Sequence, residues 1–435
     1  IKKKYQIIKK IDNPLFYSFN WLFPAGSNYE KLINSQILPK NNRTFLSIFH
    51  RKVMLFFFII KSLVKFNLLL IFKNKNQKQY FKKKNIFFSH LNEIKELKNK
   101  NDFYFGSIPT WLNEKYILVL NNNTKKNSFK IINNLKENQL ITPDFLSIRE
   151  EIKILFIYFK LIKFFKNINI NDKNFAKELN YQLYNKEILY SLRKLFFFQK
   201  ILKNSSARRA FLTYEGHYAE AFIIKCSKKY KIRTIALNHS YFYDFQKEYR
   251  NLHYKNFKPD IVFLTGRYIK QKIKFSSNQR VYVVGSNKIN ENKSTIKNFH
   301  KKSFNCVVLG DDVELTRNLF KNVYDIAKTN NKIKFYFKLH PSIRIHEVID
   351  NPKKFFNQNN IKLTEKKIEQ LFKEAKWVIY QRTTGVINSI NFNVRPLYYN
   401  NQKENLDPLN KIKIWKKNFG SKEELQKILF ADINN

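Results

Sequence analysis

Apolar and polar positions change their spacing about halfway along this chain. Up to about residue 205, apolar residues recur at helical spacing between long Lys- and Asn-rich connections, and only residues 116–120 (YILVL) predict a strand. From residue 206 onward, short apolar runs alternate with helical stretches. Short apolar strands that alternate with helices are typical of parallel sheets covered by helices.

The second half of the chain therefore predicts a series of strands and connecting helices. Strands are expected over residues 210–214, 232–238, 260–264, 281–284, 305–309, 334–339, 361–363, 377–380 and 396–399, and helices over 219–230, 314–329 and 366–375. We predict an α/β fold with two doubly wound domains facing a cleft. The predicted domains are a helical, basic N-terminal region over 1–100, a first domain over 101–250, a second over 251–400, and a helical tail over 401–435 that packs back.

Two segments combine Phe and Ile with regularly spaced Lys, namely residues 53–72 and 151–166. Lys61 and Lys65 interrupt the first segment, so a membrane-spanning helix is not expected there. Each segment is interpreted either as a helix lying in the membrane interface or as an ordinary helix packed on its domain. The chain starts at Ile1 without a signal-peptide pattern, which is compatible with a fragment.

Composition excludes several classes of protein. The two cysteines, Cys226 and Cys306, are too few for a disulfide scaffold or a Cys-based metal site. The chain has 82 Lys and Arg against 33 Asp and Glu, a formal charge of +49. An A/T-rich coding sequence would produce the same Lys-, Asn-, Ile- and Phe-rich bias, so the charge only weakly favours an anionic membrane surface or a phosphate-bearing partner. A non-catalytic polyanion or nucleic-acid binder is the alternative from another class.

Glycine is scarce, with eight residues in 435, and five of the eight come directly after predicted strands or at the start of the next helix. Ligands of open α/β sheets bind beyond the carboxyl ends of strands, where glycine lets a phosphate approach the backbone. The clustering predicts a ligand site at these ends, although simple turn geometry explains any one glycine. The five are Gly216, Gly266, Gly285, Gly310 and Gly385.

The motif TYEGH, residues 213–217, follows the first of these strands. Glu215 and His217 put a carboxylate and an imidazole two residues apart, which suits general acid–base catalysis. Glu220 is either a second carboxylate or a charge at the start of the helix. The structural alternative is that Glu215 caps the helix.

The motif KLHPS, residues 338–342, follows another strand. Pro341 ends the strand, so Lys338, His340 and Ser342 would form an anion site suited to phosphate. The alternative is a histidine that only satisfies a turn.

A third candidate, Thr383-Thr384-Gly385, lies between a strand and a helix and predicts a phosphate cradle, with capping of the helix by Thr384 as the structural alternative.

Secondary candidates also lie at strand ends. They are His239, Gly266, Gly285, Gly310 and Asp311. Asp312 is expected to cap the following helix. The sequence lacks a Walker A motif, G-x-G-x-x-G, H-E-x-x-H and G-x-S-x-G, which excludes the common P-loop, dinucleotide-binding, zincin and hydrolase classes. No D-x-D signature lies at a strand end, so no metal or cofactor is expected.

This order of motifs resembles glycosyltransferases with two Rossmann-like domains (GT-B type). More narrowly, it is similar to HP-motif, CMP-sugar-using enzymes of bacterial surface or capsular polysaccharide biosynthesis, such as sialyltransferase-like and Kdo-transferase-like proteins. His340-Pro341 with Ser342, Thr383-Thr384-Gly385 and TYEGH carry the resemblance, which covers roughly residues 100–400.

The resemblance implies that a nucleotide-sugar is the substrate and that the second domain holds it. His340 and Ser342 would contact its phosphate, Thr383 and Thr384 its phosphate or ribose, and Glu215 would face the acceptor as base or nucleophile. The acceptor would be a glycan or glycolipid, and the enzyme would be cytoplasmic and peripheral at the inner face of a bacterial plasma membrane. A teichoic-acid-type polyol-phosphate transferase is the alternative within the enzyme class.

Overall fold

The chain divides into two units, Ile1–Lys288 and Ile289–Asn435, each built on a parallel sheet. The computed structural model describes residues 13–18, 51–55, 84–112, 114–124, 126, 128–144, 146–169, 173–215, 217–238, 258–267, 270, 279–285, 298–340, 343–401, 407–410 and 415–434. Of the predicted helix over 53–72, all but the first three residues lies outside this part of the chain, and those three are helical.

The first sheet has the strand order β3-β2-β1-β4-β5-β6-β7. Its strands are β1 Asn85–Leu91, β2 Tyr116–Asn122, β3 Gln139–Ile141, β4 Arg209–Thr213, β5 Arg233–Leu237, β6 Ile261–Leu264 and β7 Arg280–Val283. Its helices are α1 Ile108–Trp111, α2 Ser128–Ile132, α3 Ile148–Lys166, α4 Lys173–Leu183, α5 Glu187–Asn204 and α6 Tyr218–Lys229. Short 3-10 turns cover Pro14–Ser18 and Ile94–Lys98.

The second sheet has the order β10-β9-β8-β11-β12-β13. Its strands are β8 Ser303–Leu309, β9 Lys334–Lys338, β10 Ile361–Leu363, β11 Ala375–Tyr380, β12 Arg395–Tyr399 and β13 Lys417–Phe419. Its helices are α7 Val313–Thr329, α8 Ile345–Val348, α9 Pro352–Phe355, α10 Ile368–Glu374, α11 Ile387–Asn391 and α12 Lys422–Asn434, with 3-10 turns at Phe299–Lys301 and Thr384–Val386.

Alternate residues of the central strands pack on opposite faces of each sheet. In β1, Ile86 and Phe88 belong to one buried cluster and Phe87 to the cluster on the other face. In β8, Val308 and Val307 divide between two clusters in the same way. Both sheets are therefore covered on both faces, which confirms the predicted fold class of two doubly wound α/β domains.

In both sheets the strand order reverses once. The chain builds β1, β2 and β3 outward in one direction, and then returns so that β4 pairs with β1 and β5 to β7 follow on the other side. The second sheet repeats this pattern, with β11 returning to pair with β8. Pairs β1–β4 and β8–β11 are thus the topological switch points, where open α/β sheets bind ligands.

All nine strands predicted in the second half form, with ends shifted by a residue or two. Two strands of the first half were not predicted. Asn85–Leu91 lies in the region expected to be helical, yet it is a central strand, and Gln139–Ile141 forms one edge. The ring of Phe87 stacks on that of Phe211 in β4, with centroids 4.2 Å apart. This contact between residues distant in sequence supports the strand and has no local signature.

The observed sheets also correct the predicted boundaries. The predicted second domain began at residue 251, but β6 and β7 pair in the first sheet, and the units divide at Lys288. The predicted tail over 401–435 adds β13 to the second sheet, and Leu425 and Leu429 of α12 are buried in its core. A short apolar strand fits either sheet equally well from its sequence, so only pairing decides its domain.

Candidate functional site

In the first unit, polar side chains collect at the carboxyl ends of β1, β2 and β4. His90 lies next to the end of β1 and is in register with Asn121 of β2. Glu215 and His217 follow β4 and lead into α6. Because the strands are parallel, these ends share one edge of the sheet, and β1 and β4 flank the switch point.

Glu215 and His217 form a hydrogen-bonded pair. The His217 Nε2 atom lies 3.1 Å from Glu215 Oε2, and the two side chains are 32% and 24% exposed. Burial lowers the pKa of His217, but the hydrogen bond to Glu215 and the charges of Glu220 and Glu215 outweigh it, so the pKa lies above its ordinary value of 6.5. A carboxylate and an imidazole that share a proton and remain accessible can exchange it with a bound hydroxyl.

The turn that carries this pair is held by Glu220. Its buried carboxylate accepts hydrogen bonds from the Thr213 hydroxyl at 2.9 Å, from the Glu215 N–H at 2.9 and 3.0 Å, and from the His217 N–H at 3.0 Å. Glu220 therefore accepts the backbone hydrogen bonds at the start of α6, which agrees with its predicted role as a charge at the helix start. The alternative prediction, that Glu215 caps the helix, is wrong. Gly216 lies outside the described residues.

Two residues that the sequence analysis did not select lie beside this pair. The ring of His90 is centred 6.3 Å from that of His217 and 5.3 Å from that of Tyr104. The His90 Nδ1 atom lies 3.1 Å from Asn121 Nδ2. Burial, together with the charge of Glu215, raises the pKa of Tyr104 to about 12, so its hydroxyl keeps its proton at neutral pH. A polar His at the end of the unpredicted strand β1 was the only local signal for this group.

A small cavity adjoins His90 beneath the loop that follows β1. It has a volume of about 50 Å³, and its lining includes Asp102, Glu96 and Gln139. Such a space holds a few water molecules and is far smaller than a nucleotide site.

In the second unit, the corresponding groups follow β8, β9 and β11. Gly310 and Asp311 come after β8, His340 after β9, and Arg382 after β11. The Gly310 N–H donates to the Lys338 carbonyl at 2.8 Å, and a Cβ at Gly310 would approach Thr316 to within 2.7 Å. Glycine is therefore required here by packing against the start of α7.

Arg382 links the loops on either side of the second switch point. Its guanidinium, 6% exposed, binds Asp311 at 2.9 Å and Asp312 at 3.1 Å. Asp312 also accepts from the Leu315 N–H at 2.8 Å, so its predicted role as the cap of α7 is confirmed. Arg382 was not selected in the sequence analysis. Its burial and its two carboxylate partners make it a residue that positions the loop rather than an open anion ligand.

His340 lies at the same edge of the second sheet as the ion pairs of Arg382 with Asp311 and Asp312. Burial of part of the ring lowers its pKa, the charge of Asp311 opposes that shift, and the charge of Arg382 adds to it. The pKa lies below the ordinary 6.5, so the imidazole is neutral at neutral pH and one ring nitrogen carries a proton that it can donate. Lys338 is the half-buried last residue of β9. Pro341 and Ser342 lie outside the described residues.

The third predicted motif takes a different local form. Thr383, rather than Thr384, is the capping residue, and its Oγ1 accepts from the Gly385 N–H at 3.4 Å. The segment that follows is a 3-10 turn, Thr384–Val386, and then the five-residue helix α11. Few aligned peptide dipoles stand behind this turn, so its attraction for an anion is weaker than the sequence pattern predicts. A Cβ at Gly385 would lie 2.9 Å from the Ile368 Cδ1 atom, the flexible end of that side chain, so an alanine here would require only a small shift of Ile368.

The remaining secondary candidates divide into two kinds. His239 lies outside the described residues. Gly266 and Gly285 follow β6 and β7 in the first sheet, on the side away from the switch point. Gly285 has φ +82°, which L side chains rarely adopt, whereas a Cβ at Gly266 would meet nothing within 4 Å.

The described residues contain no group of three or more His, Cys, Asp or Glu side chains that could hold a metal ion. Within the same ranges, no helix has the length and apolar character needed to cross a bilayer.

Comparisons with known proteins give only a coarse likeness. No family model and no curated protein matches the sequence. Among solved structures, a Listeria monocytogenes protein described as a UDP-N-acetylglucosamine 2-epimerase is 10% identical, with a TM-score of 0.49 over 81% of this chain and 88% of that one. MurG from Acinetobacter baumannii is 8% identical, with a TM-score of 0.44 over 81% and 91%. The glycosyltransferase SnogD from Streptomyces nogalater is 9% identical, with a TM-score of 0.40 over 81% and 94%. All three scores are below 0.5, so this chain's function must be argued from its own residues.

Proposed function

We propose that this protein is a GT-B-type glycosyltransferase that moves a sugar from a nucleotide-sugar donor to a surface polysaccharide or glycolipid acceptor. One observation carries the proposal. In each unit the candidate polar groups flank the point where the strand order reverses, Glu215 and His217 beside β1–β4 and Asp311 and Arg382 beside β8–β11. Ligands of doubly wound sheets bind at these points.

The first unit has the chemistry that an acceptor hydroxyl requires. Its oxygen forms the new bond to the anomeric carbon of the sugar, the bond to the donor phosphate breaks, and the hydroxyl proton passes to the Glu215–His217 pair. The raised pKa of His217 favours proton uptake near neutral pH. His90 lies close enough to the pair to line the same acceptor site.

The second unit has the chemistry that a leaving phosphate requires. His340 is neutral and donates one N–H, and Lys338 supplies a positive charge at the end of the adjoining strand. Arg382 is held by Asp311 and Asp312, so its role here is to fix the loop beside the phosphate. We favour a CMP-sugar as donor because the His340-Pro341-Ser342 motif resembles that of CMP-sugar-using enzymes.

Donor class is the first test. A thermal-shift screen of the full chain against CMP, UDP, GDP and their sugar conjugates should show its largest stabilisation with CMP and a CMP-sugar. The His340→Ala variant should bind that nucleotide at least tenfold more weakly by calorimetry, while the exposed His346→Ala serves as the matched control. Equal affinity in His340→Ala and wild type would remove His340 from the donor site.

The role of Glu215 at the acceptor hydroxyl is tested separately. Glu215→Gln should keep nucleotide affinity and lose on the order of 100-fold or more in transfer rate, as expected when a general base is removed. Full transfer activity in a folded Glu215→Gln variant would refute the assigned role. Identification of the transferred group by mass spectrometry separates sugar transfer from transfer of a polyol phosphate.

We also propose that the enzyme works at the cytoplasmic face of a bacterial plasma membrane as a peripheral protein. The excess of 82 basic over 33 acidic residues supports this location, because anionic lipid headgroups attract a positively charged surface.

A further inference from the structure

The outer side of α3 exposes four large apolar residues in a row. Ile148, Ile152, Phe156 and Phe159 are 38%, 56%, 61% and 59% exposed, and we call them the aromatic face. Their spacing of four, four and three residues places them on one side of the helix. Single exposed apolar residues are ordinary, but a contiguous row on one helix marks a surface that is covered in use.

The opposite side of α3 packs into the core of the first unit. Ile154, Tyr158, Leu161 and Phe165 are at most 1% exposed and lie in the core of the first unit. The helix is thus already anchored by a complete buried stripe, and the aromatic face is not needed to hold it in place.

Positive charge surrounds the aromatic face. Five basic residues of α3 are exposed there or beside it: Arg149, Lys153, Lys160, Lys163 and Lys166. The Lys160 Nζ atom lies 4.4 Å from the centre of the Phe156 ring, so cation and aromatic ring form one surface.

The two acids of α3 are engaged elsewhere. Glu151 is buried and paired with Arg193 at 2.9 Å, and Glu150 is paired with Lys200 at 3.0 Å. Neither carboxylate neutralises the basic residues around the aromatic face. The helix therefore presents apolar and cationic groups together, without a balancing acid of its own.

We infer that the aromatic face of α3 is the surface by which this protein docks on an anionic lipid bilayer. Phe and Ile side chains enter the boundary between headgroups and acyl chains, while the surrounding Lys and Arg contact anionic headgroups. Charge complementarity between the basic residues and anionic headgroups favours a lipid bilayer as the partner of this face. A second copy of the same face would bring ten cations together, which opposes self-association. The inference identifies the docking surface for the peripheral location proposed above and does not depend on transferase activity.

Vesicle co-sedimentation of the full chain tests the inference without donor or acceptor. Wild type should bind vesicles of phosphatidylglycerol and phosphatidylcholine, and binding should weaken with salt and with removal of the anionic lipid. Phe156→Ser with Phe159→Ser should weaken binding more than tenfold. The change lies on exposed positions, and an unchanged circular dichroism spectrum and melting temperature verify the fold.

Charge variants distinguish a local surface from overall charge. Lys153→Ala, Lys160→Ala and Lys163→Ala together should weaken binding on the order of 100-fold. The control removes three exposed lysines of the second unit, Lys321, Lys353 and Lys354, and should leave binding within about twofold of wild type because the net charge falls equally but away from the face.

Three results would overturn the inference. The first is wild type that does not bind anionic vesicles at low salt. The second is aromatic and charge variants that bind as tightly as wild type, which would assign binding to another part of the chain, such as residues 53–72. The third is a dimer of the wild-type protein in sedimentation velocity that becomes a monomer when Phe156→Ser and Phe159→Ser are introduced together. That result would show that the aromatic face is a contact between two copies of the chain.

Discussion

Replacing Glu220 with Gln tests how the turn that carries Glu215 and His217 is held. The Glu220 carboxylate is 5% exposed and receives three donors, the Thr213 hydroxyl and the backbone N–H groups of residues 215 and 217. A glutamine side chain offers one acceptor oxygen, and its NH₂ group cannot accept. With the amide oxygen in the place of Oε1, the His217 N–H loses its acceptor. With the oxygen in the place of Oε2, the NH₂ group faces the Glu215 N–H, a second donor, 3.0 Å away. Either orientation therefore removes at least one backbone hydrogen bond to this side chain.

The size of the destabilisation follows from the hydrogen bonds that the substitution removes. A buried donor left unsatisfied costs about 1–3 kcal/mol. Loss of the negative charge at the start of α6 adds about 0.3–1 kcal/mol. Glu220→Gln should therefore destabilise the first unit by about 1–4 kcal/mol. Glu187 is the matched control, because it lies in the first turn of α5 and is exposed, so Glu187→Gln should cost under about 0.5 kcal/mol.

Hydrogen–deuterium exchange is the most direct assay, because the amides of Glu215 and His217 are themselves the donors. In Glu220→Gln, peptides covering residues 209–217 should exchange on the order of tenfold faster or more, as about 1.4 kcal/mol implies, while peptides of the second unit keep their rates. Denaturant unfolding gives the free energy. Unchanged exchange at 209–217, or an equal loss of stability in Glu187→Gln, would refute the assigned role of the carboxylate.

Three further predictions concern single side chains. Arg382→Met should destabilise the second unit by about 2 kcal/mol in denaturant unfolding, because two half-buried carboxylates lose their buried cation, and adding Asp311→Asn should recover part of the loss; no recovery would contradict the ion-pair account. The folded-state pKa of His217 is raised, so its stabilisation is complete below about pH 6.5 and is lost as pH rises through the folded pKa. Hence His217→Gln should cost more stability at about pH 5.5 than at about pH 9, and an equal cost at both would count against the Glu215 contact. Gly285→Ala should cost about 1 kcal/mol because φ is +82°, whereas Gly266→Ala should be neutral or slightly stabilising in melting measurements; the reverse order would refute the argument from backbone conformation.

Local sequence predicted the elements of the second half well, because buried parallel strands are continuous apolar runs. The nine strands from Arg209–Thr213 to Arg395–Tyr399 carry that pattern. Asn85–Leu91 carries it too, but it lies among Lys and Asn without Gly or Pro at its ends and follows a helical texture. Its strand state depends on pairing with β2 and β4, which are 25 or more residues away in sequence.

The amino-acid sequence by itself determined which polar residues follow strands and are therefore candidates for the chemistry: Glu215, His217, His340 and Asp311. The end of a strand can be predicted from the local sequence, because it depends on only a few neighbouring residues. Tertiary structure alone decided which strands are neighbours. It brought His90 beside His217, joined Arg382 to Asp311, and placed both groups at switch points, because strand order depends on contacts between distant segments that no local pattern encodes.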